Sequence, residues 1–446
     1  MSEENIIVFA YDDIAENSEN IFPGQIFNKP YGEDVYKGCK IDYKDVDITP
    51  VDFLNVLKGD SEKMKGIGNE KVIYSTKDSK IFVFFSGYGA TGLLGFPQKY
   101  LYADDLISNL TYMHKQNMYS EMVLYIDACE SGSMFQGLLD PTLNIYVMTA
   151  TNAEESSWGT YCYPDDLKDG KHLGTCLGDL FSVNWMENSN ASDNSNDSLL
   201  SQFETVKKAT RWSHVMQYGQ LDLQDTLYRY YLDEAQISQN SQQQSQLIKR
   251  NLIDAKTENI QQRISQTNDC SYSSDVKIGN EGMNSDNHNM EYCWSKQVQT
   301  DTIQRSSRSS RDINFHYLQS RVYMNNFQFP YQQRDFDLEE NKRMRDDHVF
   351  ALFKQQVNSN HKKQTNGIVK AIIINYEVVL PRNFDCLRAM IDAYEGSIQA
   401  KMGEYQMKYV RYFVQACEKT EMTEENKNQK IHELIKIIKD VCRWAI

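Results

Sequence analysis

Four short, uniformly apolar segments are the feature of the first half of the chain that most constrains its fold. They are Ile6–Ala10, Ile81–Phe85, Met122–Asp127 and Ile145–Thr149. Strands that are apolar on both faces are typical of a parallel sheet covered by helices on both sides. Helical stretches lie between them: one begins at Thr49-Pro50, where Thr suits the N-cap and Pro the first helical position, and another covers about 103–118. We therefore predict an α/β domain with a mostly parallel sheet flanked by helices.

The second half of the chain divides into two parts of different composition. Residues 236–334 are rich in Gln, Asn and Ser, with runs at 242–244 and 306–310. Such a segment buries too little apolar surface to offset its ordering entropy, so we expect it to be disordered. Residues 335–446 carry apolar residues at helical spacing, such as Leu387, Met390, Ile391 and Tyr394, and predict a helical bundle. The predicted domains are thus 1–235, 236–334 and 335–446.

Charge and cysteine usage exclude several classes of protein. The chain has 62 acidic and 47 basic residues, a formal charge of −15, which disfavours a nucleic-acid partner. No apolar stretch is long enough for a membrane span. The start, MSEENIIVFA, lacks the basic and apolar regions of a signal peptide, so the chain as written is expected in the cytosol. The nine cysteines form no CxxC pair, and we expect neither a metal nor an organic cofactor.

One cysteine is placed where covalent chemistry is possible. Cys129 follows the predicted strand Met122–Asp127 directly, within the sequence DACESGSMF. Active sites of parallel α/β sheets lie at the carboxyl ends of the strands. A nucleophile on a turn there, followed by small residues, would have backbone N–H groups free to bind an oxyanion. The alternative is a small buried cysteine packed under a loop, and the local sequence leaves both open.

Several longer motifs, in order, resemble one enzyme family. They are Tyr11–Ala15, Asp47–Pro50, Tyr125–Phe135, Ser182–Glu187 and Ser213–Gly219, followed by the stretch from Cys386 to Cys417. In these motifs the chain resembles the legumain family, the asparaginyl endopeptidases or vacuolar processing enzymes, which are caspase-like cysteine proteases. The resemblance implies a caspase-like fold for the first domain, which would be shortened at its N-terminus. It implies a death-domain-like helical prodomain at the C-terminus.

The resemblance also implies a role for individual residues. Cys129 matches the nucleophile, and Gly89 matches the glycine whose N–H helps to bind the oxyanion. The positions that match the pocket for the substrate asparagine are Asp127, Ser156, Ser157 and Asp179, with Asp127 standing where the family usually has Glu. An asparagine side chain needs both a donor and an acceptor, so carboxyl and hydroxyl groups suit such a pocket. The implied substrates are peptides that contain asparagine.

The match fails at the catalytic base. Where the family has an Asp-His-Gly turn, this chain has Gly87-Tyr88-Gly89, so Tyr88 stands in the position of the histidine. A phenol, with a pKa of about 10, is a poor base at neutral or acidic pH. Two hypotheses follow. In the first, the chain is a cysteine endopeptidase of the type that cleaves after Asn, made as a zymogen, but it is inactive or strongly impaired. In the second, it is a pseudoprotease that binds peptides or has a regulatory role. A copy without function is a third alternative.

The C-terminal region would act as an intramolecular partner. The resemblance implies that the prodomain caps the active site. It implies that Cys386 pairs with Cys417, whereas the position near Ile398 that would pair with Cys442 is not a cysteine. It also implies the vacuole or lysosome as the location, in contrast to the cytosolic expectation drawn from the N-terminus.

Overall fold

Three parallel strands and one antiparallel strand form the central sheet. The computed structural model describes residues 3–191, 197–227, 231, 307–313, 330–363 and 378–445. The strands are β1 (Lys80–Ser86), β2 (Gly89–Ala90), β3 (Leu93–Gly95), β4 (Tyr100–Tyr102), β5 (Glu121–Asp127), β6 (Ile145–Thr149), β7 (Trp158–Thr160), β8 (Leu167–Lys168), β9 (Lys171–His172), β10 (Gly178–Asp179), β11 (Met216–Gly219) and β12 (Ser307–Ser309). The central sheet has the order β1-β5-β6-β11, with β11 antiparallel to β6.

Among the described residues, four helices belong to the first part of the chain and five to the C-terminal part. They are α1 (Pro50–Leu57), α2 (Ala103–Lys115), α3 (Leu180–Ala191), α4 (Leu199–Ala209), α5 (Pro330–Lys363), α6 (Phe384–Ile398), α7 (Glu404–Met407), α8 (Val410–Lys419) and α9 (Lys427–Ala445). Helix α1 begins as its sequence predicts, because the Thr49 side chain accepts a hydrogen bond from the Asp52 N–H at 3.2 Å. The predicted fold class, an α/β sheet flanked by helices with C-terminal helices, is confirmed.

The register of the parallel strands brings their carboxyl ends to one edge. Ser86 of β1 lies opposite Asp127 of β5, and Ile126 of β5 lies opposite Thr149 of β6. The loops after β1, β5 and β6 therefore start side by side. This edge holds Cys129, two residues after β5 ends.

The prediction of a strand at Ile6–Ala10 is wrong. This segment makes only an isolated parallel bridge, Phe9 with Tyr43, and no sheet strand of the described structure lies next to it. Its apolar side chains pack on a small cluster around Tyr43, Val56 and Met64. An apolar run becomes a strand only when a neighbouring backbone satisfies its N–H and C=O groups.

The C-terminal helices share a core with the central sheet. Helix α6 packs against α8 and α9, and α9 packs against α5. Their buried side chains are continuous with those under the sheet, in a cluster that includes Leu93, Leu101, Leu124, Met390, Phe413 and Ile438. Arg388 of α6 adds a bidentate contact to Asp104 at the start of α2, at 2.6 and 2.9 Å. The described residues lie within one compact unit, Met1–Asp233 together with Gln304–Ile446.

Part of the predicted disordered segment is ordered. Ser307–Ser309 forms β12, which pairs antiparallel with β7, and Ser310–Asp312 continues as a short 3-10 turn. The expectation of disorder fails for these residues because the pairing and the buried Arg311 side chain supply contacts that composition does not reveal. Most of the remaining residues between 236 and 334 lie outside the described part of the chain.

The described residues contain two disulfides, and the resemblance predicted one of them. Cys386 pairs with Cys417, as the resemblance implied, and Cys442 is a buried free thiol. Cys162 pairs with Cys176 across the loop that carries the β8–β9 hairpin. That second pair was not predicted, since the spacing of scattered cysteines does not determine which of them meet.

Candidate active site

Cys129 lies buried at the carboxyl edge of the sheet. Its residue is 3% exposed, and its Sγ accepts from the Ser157 N–H at 3.3 Å and lies 3.5 Å from the Ser157 Oγ. Burial raises the pKa of the Cys129 thiol, and the nearby Arg311 guanidinium opposes that rise. The structure therefore holds the candidate nucleophile chiefly as a neutral thiol.

Gly89 lies directly against the backbone of Cys129. A Cβ atom added at Gly89 would lie 2.2 Å from the Cys129 carbonyl oxygen and 2.9 Å from the Ala128 Cβ. Only glycine permits this close approach. The sequence-derived pair of candidate nucleophile and oxyanion-binding glycine is thus placed together.

Two carboxyl groups lie on the sheet side of the cysteine. Asp127, which is 2% exposed, accepts from the Ser182 N–H at 3.0 Å and from the Ser182 hydroxyl at 2.7 Å. Asp179 accepts from the Ser86 hydroxyl at 2.7 Å. Burial raises the pKa of both carboxyl groups, and the charge of Asp179 raises that of Asp127 further. The effect of the Asp179 charge on the Asp127 pKa indicates that the two acids are neighbours and do not both ionise readily.

Ser157 joins the cysteine to a second strand pair, whereas Ser156 lies beside it in the chain and is half-buried. The Ser157 carbonyl accepts from the Ser310 N–H at 3.0 Å, and the two hydroxyls are 2.9 Å apart. The predicted pocket residues Asp127, Ser157 and Asp179 therefore surround the sheet edge that holds Cys129. For Ser156 the structure establishes only the position in the same loop.

Tyr88 makes a contact that the sequence did not predict. It is half exposed, and its phenol lies near enough to the carboxyl group of Glu404 in α7 for the two groups to influence each other electrostatically. Burial and the Glu404 charge raise the pKa of the Tyr88 phenol. Burial also raises the pKa of Glu404. The residue in the position of the family histidine thus faces the C-terminal helices. In the described part of the chain, the groups that influence the pKa of the Cys129 thiol are Arg311, Glu130 and Ser157.

A buried acid next to the cysteine binds two arginines from later in the chain. Glu130, which is 1% exposed, has a left-handed backbone (φ 47°) and its N–H donates to the Glu155 carbonyl. One carboxylate oxygen contacts Arg311, and the other accepts from Arg411 Nη2 at 2.8 Å. Arg311 also donates to the Gly89 carbonyl at 3.3 Å. This cluster connects the candidate nucleophile to both β12 and α8.

Sequence reasoning missed Glu130, Arg311 and Arg411. The signal for Glu130 was its place beside Cys129 in the motif. Arg311 lies in a serine-rich run, where a basic residue is easily read as solubilising. Arg411 lies beside the apolar positions of α8, and its partner is far away in sequence.

Neither a metal site nor a membrane span is found in the described residues. They contain no group of three or more His, Cys, Asp or Glu side chains arranged to bind a metal ion. None of the helices described combines the length and apolar composition needed to cross a bilayer.

Comparison with known proteins matches the first part of the chain. The model of the Peptidase C13 family matches residues 1–234. A vacuolar-processing enzyme of Citrus sinensis is 47% identical over 237 residues, which cover 52% of this chain and 48% of that protein. A legumain of Canavalia ensiformis is 45% identical over 240 residues, covering 52% and 50%. A legumain of Mus musculus is 48% identical over 217 residues, covering 49% and 48%. The chain spans about half the length of the curated relatives it matches.

These relatives correct one expectation and support another. The expectation of a cytosolic location, drawn from the N-terminal residues, is wrong, because proteins named for vacuolar processing are among the relatives. The first residues of a chain that matches half of its relatives do not establish where the protein resides. The resemblance derived from the motifs is confirmed, since the family match covers more than half of the 446 residues. The chain belongs to the Peptidase C13 family.

Proposed function

We propose that this chain is a legumain-type cysteine peptidase scaffold, directed to peptides that contain asparagine, in which cleavage is strongly impaired and peptide binding is retained. The observation that carries the proposal is the residue in the position of the base. Tyr88 stands there, and its phenol interacts with the Glu404 carboxyl group, whereas the groups that influence the thiol in the described residues are Arg311, Glu130 and Ser157. Binding and cleavage are separate properties, because the pocket and the base are built by different residues.

The protonation of the thiol and of the phenol supports weak cleavage. Burial raises the pKa of the Cys129 thiol, and the pKa of the Tyr88 phenol is raised as well. Both groups therefore hold their protons at neutral and acidic pH. A thiol attacks a carbonyl carbon effectively only as thiolate, and within the described ranges no imidazole lies against the thiol to take its proton. Loss of the base from such a pair lowers the rate by about 10⁴-fold.

The carboxyl pair supports a preference for asparagine. With its pKa raised, one acid of the pair Asp127 and Asp179 retains a proton and can donate, while the other accepts. The Ser157 hydroxyl adds a group that can do either. A carboxamide offers one acceptor oxygen and two N–H donors, so it matches this set better than a carboxylate or an alkyl group.

The edge of β7 supports an extended mode of peptide binding. Ser307, Arg308 and Ser309 already pair with β7 through antiparallel backbone hydrogen bonds, and the chain then passes Ser157. A peptide that displaces β12 would pair with the same edge of β7 by β-augmentation. We further propose that the C-terminal helices and β12 cap the site, held by Arg411 and Arg311 on Glu130 and by Glu404 on Tyr88.

The test compares binding and cleavage on one protein. Arg311→Ser removes the guanidinium whose charge acts on the thiol, and it removes the ion pair with Glu130 that holds the segment after β12 in place. In this background we expect a fluorescent octapeptide with central Asn to bind at least ten-fold more tightly than the same peptide with Gln, by anisotropy. Mass spectrometry of the mixture should find the peptide intact after hours. Equal affinities for the two peptides would overturn the pocket assignment.

A fully active peptidase is the second candidate. It is favoured by the retained arrangement of Cys129, Gly89 and Ser157. Cleavage after Asn that is abolished by Cys129→Ser would establish this candidate and refute impaired catalysis.

A further inference from the structure

The backbone turn that carries Cys129 has a conformation that neighbouring groups must hold. Glu130, the next residue, has φ 47°, in the left-handed region that residues other than glycine rarely adopt. Such a residue persists only where its surroundings fix it. The N–H groups of Glu130 and Ser131 both donate to the loop 150–157, which joins β6 to β7. The conformation of the turn therefore depends on that loop.

Thr151 joins the loop to both ends of the turn. Its Oγ1 accepts a hydrogen bond from the Ser131 N–H at 2.9 Å and donates one to the Ala128 carbonyl at 3.0 Å. The residue is fully buried, so water does not compete for these bonds. One hydroxyl group thus ties together the backbone on either side of Cys129.

Glu155 and Ser157 hold the middle of the turn. The Glu155 carbonyl accepts from the Glu130 N–H at 2.8 Å, and the Ser157 N–H donates to the Cys129 Sγ at 3.3 Å. The two contacts come from residues only two apart in the chain, so a shift of Glu155 also shifts Ser157. The position of the thiol is therefore linked to the position of Glu155.

The carboxylate of Glu155 anchors the loop. Its Oε1 accepts from the N–H groups of Asn152 and His214, at 3.0 and 2.7 Å, and its Oε2 lies 2.9 Å from the His214 Nδ1. The Glu155 side chain is 23% exposed, whereas that of His214 is 74% exposed. Bonds from backbone N–H groups to a carboxylate are strong, and an ion pair with an exposed partner contributes little. The anchor is therefore chiefly the two backbone bonds to Oε1, which tie the loop to the segment before β11.

We propose that Glu155 is a positioning residue for Cys129. Its carboxylate fixes the loop 150–157, and the loop fixes the thiol through the Glu155 carbonyl and the Ser157 N–H. The inference rests on the proposed function only in taking Cys129 as the nucleophile. Its test observes the thiol itself, so the result does not depend on whether the chain cleaves peptides.

The test compares the Cys129 thiol in the parent protein and in Glu155→Ala. Infrared difference spectra against the matching Cys129→Ser proteins isolate the S–H stretch of this one cysteine. We expect the band to shift in Glu155→Ala, because the contacts of the sulfur with Ser157 set its frequency. Alkylation of Cys129 by iodoacetamide, followed by peptide mapping, should be at least ten-fold faster, because the thiol is no longer held in its buried place. A band or an alkylation rate equal to that of the parent would overturn the proposal.

Two further variants distinguish positioning from a general loss of structure. Glu155→Gln keeps an oxygen that can accept from the Asn152 and His214 N–H groups, so it should restore the parent band and keep alkylation within about three-fold of the parent. Glu154→Ala removes the neighbouring exposed acid, whose carboxylate has no bonding partner among the described residues, and should match the parent. A Gln variant as altered as the Ala variant would contradict the role of these hydrogen bonds. Equal acceleration of alkylation at the buried Cys442 would indicate unfolding and would also contradict it.

A shorter carboxylate replaces Glu155→Ala if that variant does not fold. Glu155→Asp keeps the charge but is one methylene too short to maintain the bonds to Asn152 and His214 together with its own carbonyl contact. We expect the Cys129 band to shift in Glu155→Asp and alkylation to be at least three-fold faster. A parent-like band in this variant would overturn the proposal.

Discussion

The phenol of Tyr88 lies beside the carboxyl group of Glu404, whose charge helps to raise the pKa of the phenol. Tyr88 follows the first strand of the central sheet, and Glu404 opens a short helix of the C-terminal part. Burial is the largest cause of the raised pKa of both groups, so the Tyr88 phenol holds its proton over the neutral range and the neutral form of Glu404 is favoured. The position that resemblance assigns to a catalytic base is therefore used here for a contact with the C-terminal helices.

Asp127→Asn is expected to stabilise the protein at neutral pH. The pKa of Asp127 is raised above its ordinary 3.8 by burial and by Asp179. A raised folded-state pKa gives stability that is fully present below about pH 4 and is lost as pH rises through the folded value. Because the asparagine amide does not ionise, the variant does not lose this stability as pH rises. Its free energy of unfolding should therefore exceed that of the parent by about 1 kcal/mol or more at pH 7.

Urea unfolding of the two proteins between pH 4 and pH 7.5 measures this difference. The gain from Asp127→Asn should shrink toward pH 4. Asp78→Asn, at an exposed position, serves as control and should show no such trend. A variant that is less stable than the parent at pH 7.5 but not at pH 4 would show that the pKa of Asp127 is lowered in the folded protein, which would contradict the prediction.

Glu130→Gln is expected to expose Cys129. The substitution removes the charge that binds Arg311 and Arg411, and breaking a buried ion pair costs about 3–5 kcal/mol. Release of Arg311 should uncover the thiol and increase its alkylation by iodoacetamide at least ten-fold, read by peptide mapping. Cys442, buried among the C-terminal helices, is the internal control. Equal acceleration at Cys442 would indicate general unfolding and contradict a local cover.

Arg388→Ala is expected to weaken the contact between the C-terminal helices and α2. The guanidinium binds Asp104 in bidentate fashion, reaches Asp105 at 2.9 Å, and lies 4.4 Å from the Tyr102 ring centroid. Charge-assisted bonds of this kind contribute about 1.5–3 kcal/mol together. Thermal unfolding should show that loss, with Arg388→Lys recovering only part of it. Arg443→Ala, at an exposed residue, should change stability by less than about 0.5 kcal/mol.

Local sequence predicted most of the sheet. The apolar runs at Ile81–Phe85, Met122–Asp127 and Ile145–Thr149 all form strands, since each has a neighbouring strand to pair with. The run Ile6–Ala10 has the same composition and does not, because pairing is a tertiary property. Strand β12 was missed for the converse reason: Ser307–Ser309 has no apolar pattern, and the edge of β7 determines its conformation.

The candidate site was predictable where it lies within one motif. Asp127 ends β5 and Cys129 follows two residues later, and Gly89 begins β2, three residues after β1 ends. Arg311 and Arg411 reach Glu130 across 181 and 281 residues, and no periodicity encodes such a contact. The electrostatic interaction of Tyr88 with Glu404 likewise depends on how the C-terminal helices pack.

The central claim, that Tyr88 in place of a base prevents cleavage, is tested most directly by hydrolysis of an Asn-containing peptide. The assay compares Arg311→Ser alone with the same protein carrying Tyr88→His, Tyr88→His with Gly87→Asp, and Tyr88→His with Cys129→Ser. We expect background rates for the first protein, an increase of at least 10²-fold with Tyr88→His, a further increase with Gly87→Asp, and loss of activity with Cys129→Ser. Cys129-dependent cleavage by the Tyr88 protein at the rate of its Tyr88→His counterpart would contradict the claim.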